Sequence, residues 1–247
     1  MEAGARGRGY HAAMTSRSMQ RRQFSRTKLD LYLECARCFY DDVALGLGRV
    51  GGPAFSLNIA VDALFKAEFD GYRAAGTPHP LFAAVGLDAV PFRHASIEDW
   101  RNNFKGVRWV DPPSGWALFG AVDDLWRRPD GTLIVADYKA TAKQDEITPY
   151  NIYPGYKRQL EIYQYLVERQ GFTVDSTSWL VYANGIKTGG RFDDVLRFVT
   201  KMIPVACDRA WVPGAFSDAV RLLEGGQRPA AAEGCAWCGY VDGRGKA

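Results

Sequence analysis

Residues 120–141 read GAVDDLWRRPDGTLIVADYKAT, two strand-like runs flanking Pro-Asp-Gly. Proline presets φ, aspartate tolerates the next position and glycine takes the left-handed one. Pro129-Asp130-Gly131 is therefore a three-residue hairpin loop, a type I turn with a bulge. Such a loop pairs Arg128 with Thr132, and its register sets Asp123 opposite Asp137. Opposed residues share a face, with Cβ atoms about 4.5–5.5 Å apart. Lys139 lies two residues beyond Asp137 and joins that face. Asp124 points the other way, so its replacement is expected to be mild. Two opposed carboxylates repel unless a cation lies between them. Mg2+ takes hard oxygen ligands, one or two of them carboxylates. A lysine beside it can orient or deprotonate an attacking water, or steady charge on a phosphate. The same spacing also fits a solvated sheet face with an Asp137–Lys139 ion pair.

The rest of the chain frames this hairpin. Residues 28–47 carry apolar residues at helical spacing and predict a kinked or broken helix. Residues 56–76 predict a helix capped by Ser56 and ended by Gly76, with Leu57, Ala60, Val61, Leu64, Phe65 and Phe69 inward. Residues 77–92 read as loop, and a short helix capped by Ser96 follows. Strands are expected over 116–126, 132–140, 177–183 and most of 192–202. Amphipathic helices are expected over 156–171 and 213–226, and the chain should finish in a cysteine-bearing coil. This order is that of a mixed α/β domain. With 47% hydrophobic residues in 247, the chain can bury a real core, and it has no apolar run long enough to cross a membrane. A cytoplasmic location is expected.

The net charge of +3 divides unevenly: residues 1–28 contribute +6 and the remainder −3. Residues 1–27 read as a disordered, Gly/Arg/Ser-rich basic tail, with a nucleic-acid-binding arm as the alternative. Residues 28–247 read as a single domain. Met14 and Met19 are alternative starts.

On the helix after the hairpin, Gln159 and Tyr163 are four apart and share a face. Taken with G120-A-V-D123 and D137-Y-K139, Q159-L-E-I-Y163 resembles the PD-(D/E)XK nuclease superfamily over roughly residues 30–240. The similarity is to its RecB-like branch, which includes the iron–sulfur exonucleases of CRISPR adaptation and of AddB-type recombination enzymes. The resemblance implies a restriction-endonuclease-like core, a central mixed sheet flanked by helices. It implies Asp123, Asp137 and the Tyr138 carbonyl as ligands to Mg2+ or Mn2+, with Lys139 serving the attacking water. Gln159 and Tyr163 would hold the nucleic-acid strand. The expected activity is hydrolysis of DNA phosphodiester bonds, as an exonuclease in repair, recombination or defence, on single strands or duplex ends. That branch commonly carries a metal-binding histidine on the helix before the hairpin, and residues 56–76 contain none. Asp62 is the candidate for the role, against an ion pair with Lys66. His79, in Thr-Pro-His-Pro, reads as a loop residue. The missing histidine leaves an inactive nucleic-acid-binding module as the alternative, and an unrelated metal-clamped α/β protein as a third reading.

Cys35 and Cys38 form one CxxC pair, and Cys235 and Cys238 another about 200 residues later. Four thiolates suit a [4Fe–4S] cluster or Zn2+ if the pairs meet in space. The RecB-like resemblance favours the cluster, although that branch usually has one cysteine before and three after. Cys207 reads as a small buried hydrophobe.

Overall fold

The computed structural model describes residues 21–244 apart from 54, 189 and 192. The tail expectation for residues 1–20 lies outside the described residues. Residues 23–25, assigned to that tail from sequence, instead form the first strand.

The five-stranded sheet takes β2 (Val90–Pro91), β5 (Asp124–Arg127), β6 (Leu133–Thr141), β7 (Thr177–Gly185) and β8 (Phe198–Ala206), in that spatial order. Only β6 and β7 are parallel. Between them in sequence runs a helix, Pro154–Glu168, the crossover that a parallel pair requires. A second sheet orders β1 (Gln23–Ser25), β4 (Ala117–Gly120) and β3 (Val107–Val110), with β1 parallel to β4. The eight helices among the described residues are α1 Arg26–Glu34, α2 Ala36–Val43, α3 Ser56–Ala75, α4 Pro80–Ala84, α5 Ile97–Arg101, α6 Pro154–Glu168, α7 Val212–Gly225 and α8 Ala236–Arg244. The architecture is mixed α/β, with two mixed sheets rather than one.

The alternation of side chains along β6 divides the core. Leu133 and Val135 join a large apolar body with α1, α2, α6 and α7, while Ile134, Ala136 and Tyr138 face α3 and pack against Phe65 and Phe69. Both faces of the central strands are therefore covered. The run expected as one strand over 116–126 is two. The chain leaves the small sheet at Gly120, crosses at 121–123, and enters the large one at Asp124. Glycine is required at that exit, because a Cβ there would stand 2.8 Å from the Tyr163 ring.

Other expectations are revised. The helix over 28–47 is broken at Cys35, whose backbone is extended (φ −160°, ψ 105°). The next helix begins at Ser56 with Phe55 in the capping position. Its buried stripe is Val61, Phe65, Phe69 and Arg73, while Leu57 and Leu64 are exposed. Gly76 does end it, with φ +71°. Residues 77–92 contain α4 and β2 as well as loop. The strand expected from 192 starts only at Phe198, since Asp193 and Asp194 hold positive φ (42° and 57°), incompatible with a strand. The C-terminal segment is a helix, not a coil.

Candidate active site

The hairpin has the expected register. Arg128 N–H donates to Thr132 O at 2.9 Å, and the ladder pairs Arg127 with Leu133 through to Asp124 with Ala136. Asp123 is the next residue, at the crossing between sheets, and its Oδ2 accepts from the Tyr138 amide at 3.0 Å. Asp137 is fully buried on the α6 face of β6. Its Oδ1 accepts from Gln159 Nε2 at 2.7 Å, and the same amide nitrogen donates to Tyr163 Oη at 3.1 Å. Asp137 Oδ2 accepts no well-aligned hydrogen bond and faces the Lys139 ammonium. That ammonium also lies 4.7 Å from the centre of the Tyr156 ring. The structure thus brings Asp123, Asp137, Lys139, Gln159 and Tyr163 together, by a hairpin and one helix that follow each other in the chain.

Electrostatics at this point are those of two carboxylates sharing one place. Burial, then the neighbouring Asp123 charge, pushes Asp137 up to about 7. Burial opposes ionisation of Asp123 too, but Lys66, Lys139 and the Tyr138 amide hold it below the usual carboxylate range. Lys139 stays above an ordinary lysine: burial works against its charge, and Asp137 and Asp123 more than offset that. It is a cation at neutral pH.

Asp62 sits on α3 at the edge of this group. Its i+4 ion pair with Lys66 is present at 2.8 Å, but Lys66 is also 3.3 Å from Asp123 Oδ1. Burial and then Asp123 raise the Asp62 carboxyl. Ammonium groups thus stand among all three carboxylates. A carboxylate pair, Asp137 fully buried and Asp123 half-buried, with one oxygen lacking a well-aligned donor is a donor set that fits a hard divalent cation. Asp123, Asp137 and the Tyr138 carbonyl could hold one, with Asp62 beside them. Lys66 as a member of this site was missed from sequence, where it figured only as a surface partner for Asp62.

Asp124 does face away, as its register requires, yet it is fully buried rather than innocuous. It accepts from Arg73, Arg101 Nη2 (3.1 Å), the Leu125 amide (2.8 Å), Trp126 Nε1 (3.2 Å) and Tyr138 Oη (2.7 Å). The expectation of a mild replacement is therefore corrected. His79 lies in the loop between α3 and α4, as expected, but it is buried there rather than exposed. It caps α4 through Nδ1, stacks on Phe69 at 4.1 Å and reaches Glu68 at 3.0 Å. His94 stacks on Trp100.

The break at Cys35 turns that thiol toward Cys38, on the first turn of α2, and the start of α8 delivers Cys235, just before the helix, and Cys238, in its first turn, to the same place. All four sulfurs lie within 4.8 Å of one another, at 3.5 Å for Cys38–Cys238, 3.6 Å for Cys38–Cys235 and 3.8 Å for Cys35–Cys238. The Ala232 amide points at Cys35 Sγ and Arg49 at Cys235 Sγ. Burial opposes ionisation of Cys35, but the Ala232 amide and the neighbouring thiols bring it down to about 6. Two ion pairs, Arg37–Asp242 and Arg228–Asp41, join the same segments. Four such cysteines can bind a metal, as an ion or a cluster. Cys207 stands apart, half-buried against the main core.

The fold and the site together define an α/β core in which a hairpin carries Asp, then Asp-x-Lys, to a central strand, with a Gln/Tyr helix over it. The chain belongs to the PD-(D/E)XK nuclease superfamily, whose model matches residues 57–242. Enzymes of that superfamily use divalent metals. No curated protein matches the chain. Among solved structures it is similar to one described as the crystal structure of SSO0001. The identity is 18%, over 81% of this chain and 76% of that one, and the TM-score is 0.36. No helix among the described residues is long and apolar enough to cross a membrane.

Proposed function

We propose that this protein is a cytoplasmic, metal-dependent nuclease that hydrolyses DNA phosphodiester bonds, of the RecB-like branch and acting as an exonuclease on strand ends. The observation that carries this reading is the buried Asp137, flanked by Asp123, Lys139 and Gln159, at a point of the sheet where a structural carboxylate would need more donors. A divalent ion held by Asp123, Asp137 and the Tyr138 carbonyl would acidify a water and polarise a phosphoryl oxygen. Lys139, a cation fixed between Asp137 and the Tyr156 ring, positions water and offsets charge on the phosphate rather than removing a proton. Gln159 spends its amide nitrogen on Asp137 and Tyr163. Its carbonyl and the Tyr163 hydroxyl hydrogen remain for the strand. Both therefore orient substrate while holding Asp137 in place.

The four cysteines hold a single structural Zn2+ in this proposal. A tetrahedral ion about 2.3 Å from each sulfur sets the sulfurs about 3.8 Å apart; three of the six pairs here lie at 3.5–3.8 Å and all six within 4.8 Å. A four-iron cluster places iron and sulfide between its thiolates and needs them wider.

The test is cleavage of end-labelled single- and double-stranded DNA with Mg2+, Mn2+ or EDTA, comparing wild type with Lys139→Ala. Metal-dependent cutting that falls at least about 100-fold in the variant is expected. A folded wild type that binds DNA without cutting would favour the inactive binding module. Metal analysis decides the cysteine site: one zinc and a colourless protein against iron, sulfide and a brown one.

A further inference from the structure

We propose that Lys66 occupies the place of a second metal ion, so that this centre takes one divalent cation. The inference rests on the nuclease reading above and concerns how its carboxylates are shared. Lys66 is one turn after Asp62 on α3, with its side chain only 24% exposed, and it does more than close a surface pair. Its Nζ stands 2.8 Å from Asp62 Oδ2 and 3.3 Å from Asp123 Oδ1, bridging helix and hairpin. The other Asp123 oxygen is turned to the Tyr138 amide.

Two-metal centres hold their ions about 3.5–4 Å apart, with carboxylates shared between them. Here the shared carboxylate would be Asp123, which lies between Asp62 on one side and Asp137 on the other. On the Asp123–Asp137 side Asp137 Oδ2 lacks a well-aligned donor, and the Lys139 ammonium in contact with it pairs with that one carboxylate, whereas Lys66 bridges both carboxylates of its side. The Asp62–Asp123 side is taken by an ammonium tethered to a helix. A cation entering there would meet a fixed like charge or have to expel it.

Charge counting gives the same answer. Asp62, Asp123 and Asp137 face Lys66 and Lys139, which leaves one net negative charge. One divalent ion and one phosphodiester bring the assembly to neutrality, whereas two ions leave it doubly positive in a partly buried place. Replacing Lys66 by a neutral side chain of similar length removes the blocking charge and opens a second position between Asp62 and Asp123.

The experiment is a Mn2+ titration of the full chain, with its cysteine site as purified, reading free Mn2+ by electron paramagnetic resonance. Wild type, Lys66→Met and Lys66→Arg are compared, with melting curves to confirm folding. One Mn2+ per chain is expected in wild type and Lys66→Arg, and two in Lys66→Met. Two ions in wild type, or a single ion in folded Lys66→Met, would overturn the proposal. Should Lys66→Met not fold, the wild-type stoichiometry and Lys66→Gln decide it in the same way. No binding in wild type would remove the metal-centre reading itself, a result distinct from a stoichiometry of two.

Discussion

Replacing Asp124 by alanine should cost far more than replacing Asp137, although both are fully buried and Asp137 is the one in the site. Asp124 collects five donors, two of them guanidinium groups whose side chains are 7% and 6% exposed. Removing one partner of a buried ion pair costs about 3–5 kcal/mol. The arginines keep other acceptors: Phe92 O at 2.6 Å for Arg73, and Asp70 at 2.8 Å and Asp123 O at 3.0 Å for Arg101. Their share therefore falls at the lower end of that range. The Trp126 and Tyr138 groups, left without an acceptor, add about 1 kcal/mol or more between them. A total near 4–5 kcal/mol, at about 2–4 °C per kcal/mol for a chain of this size, lowers Tm by about 10–15 °C. Circular dichroism melts at pH 7 with EDTA present would measure it, beside Asp137→Asn in the same buffer. The second variant removes one of two repelling carboxylates but also the partner of Lys139, so the two effects oppose and its Tm should fall much less than that of Asp124→Ala. If Asp124→Ala melts within about 2 °C of wild type, the buried network is not what joins α3 and α5 to the hairpin, and the reasoning fails.

Gly120→Ala should destabilise by about 1–3 kcal/mol and weaken cleavage, because its Cβ would stand 2.8 Å from the Tyr163 ring and 3.1 Å from Arg26 Cβ; urea melts and initial rates check both. Cys38→Ser should lose the cysteine-bound metal and lower Tm, read by metal analysis and melting, with the Mn2+ stoichiometry of the carboxylates unchanged. His79→Ala should cost stability, about 1 kcal/mol for the lost cap plus the Phe69 stacking, yet leave the cleavage rate of folded protein intact. A rate loss at a temperature where that variant is fully folded would place His79 in the machinery after all.

The site was legible because its parts are close in the chain or repeat with a clear period. The Pro129-Asp130-Gly131 turn alone sets the register that brings Asp123 to Asp137, and the spacing of four puts Gln159 under Tyr163. What escaped reading depends on distant partners. Nothing near Asp124 in sequence announces Arg73 or Arg101, which arrive from α3 and α5, so its orientation was legible and its burden was not. Lys66 looked like half of a surface pair because the approach of α3 to the hairpin is a tertiary fact. The close approach of the Tyr163 ring to Gly120, where the first sheet is left, is a tertiary contact, and the late start of β8 comes from two aspartates with left-handed backbone. The helix at Ala236–Arg244 escaped because its two glycines and scattered apolar residues leave no clear periodic face.

The thiol pairs have a topological consequence. Cys35 and Cys38 precede Cys235 by about 200 residues, so a metal bound to all four turns most of the chain into a closed ring. During synthesis the first pair waits about 200 residues for its partners, and the ring cannot close before Cys238 is made. Afterwards, force applied to the chain from outside the ring meets that junction before it meets the segment enclosed between Cys38 and Cys235. Thiolate–metal bonds then have to break before force reaches the sheet that carries Asp137, and the candidate site is shielded by a lock between segments about 200 residues apart.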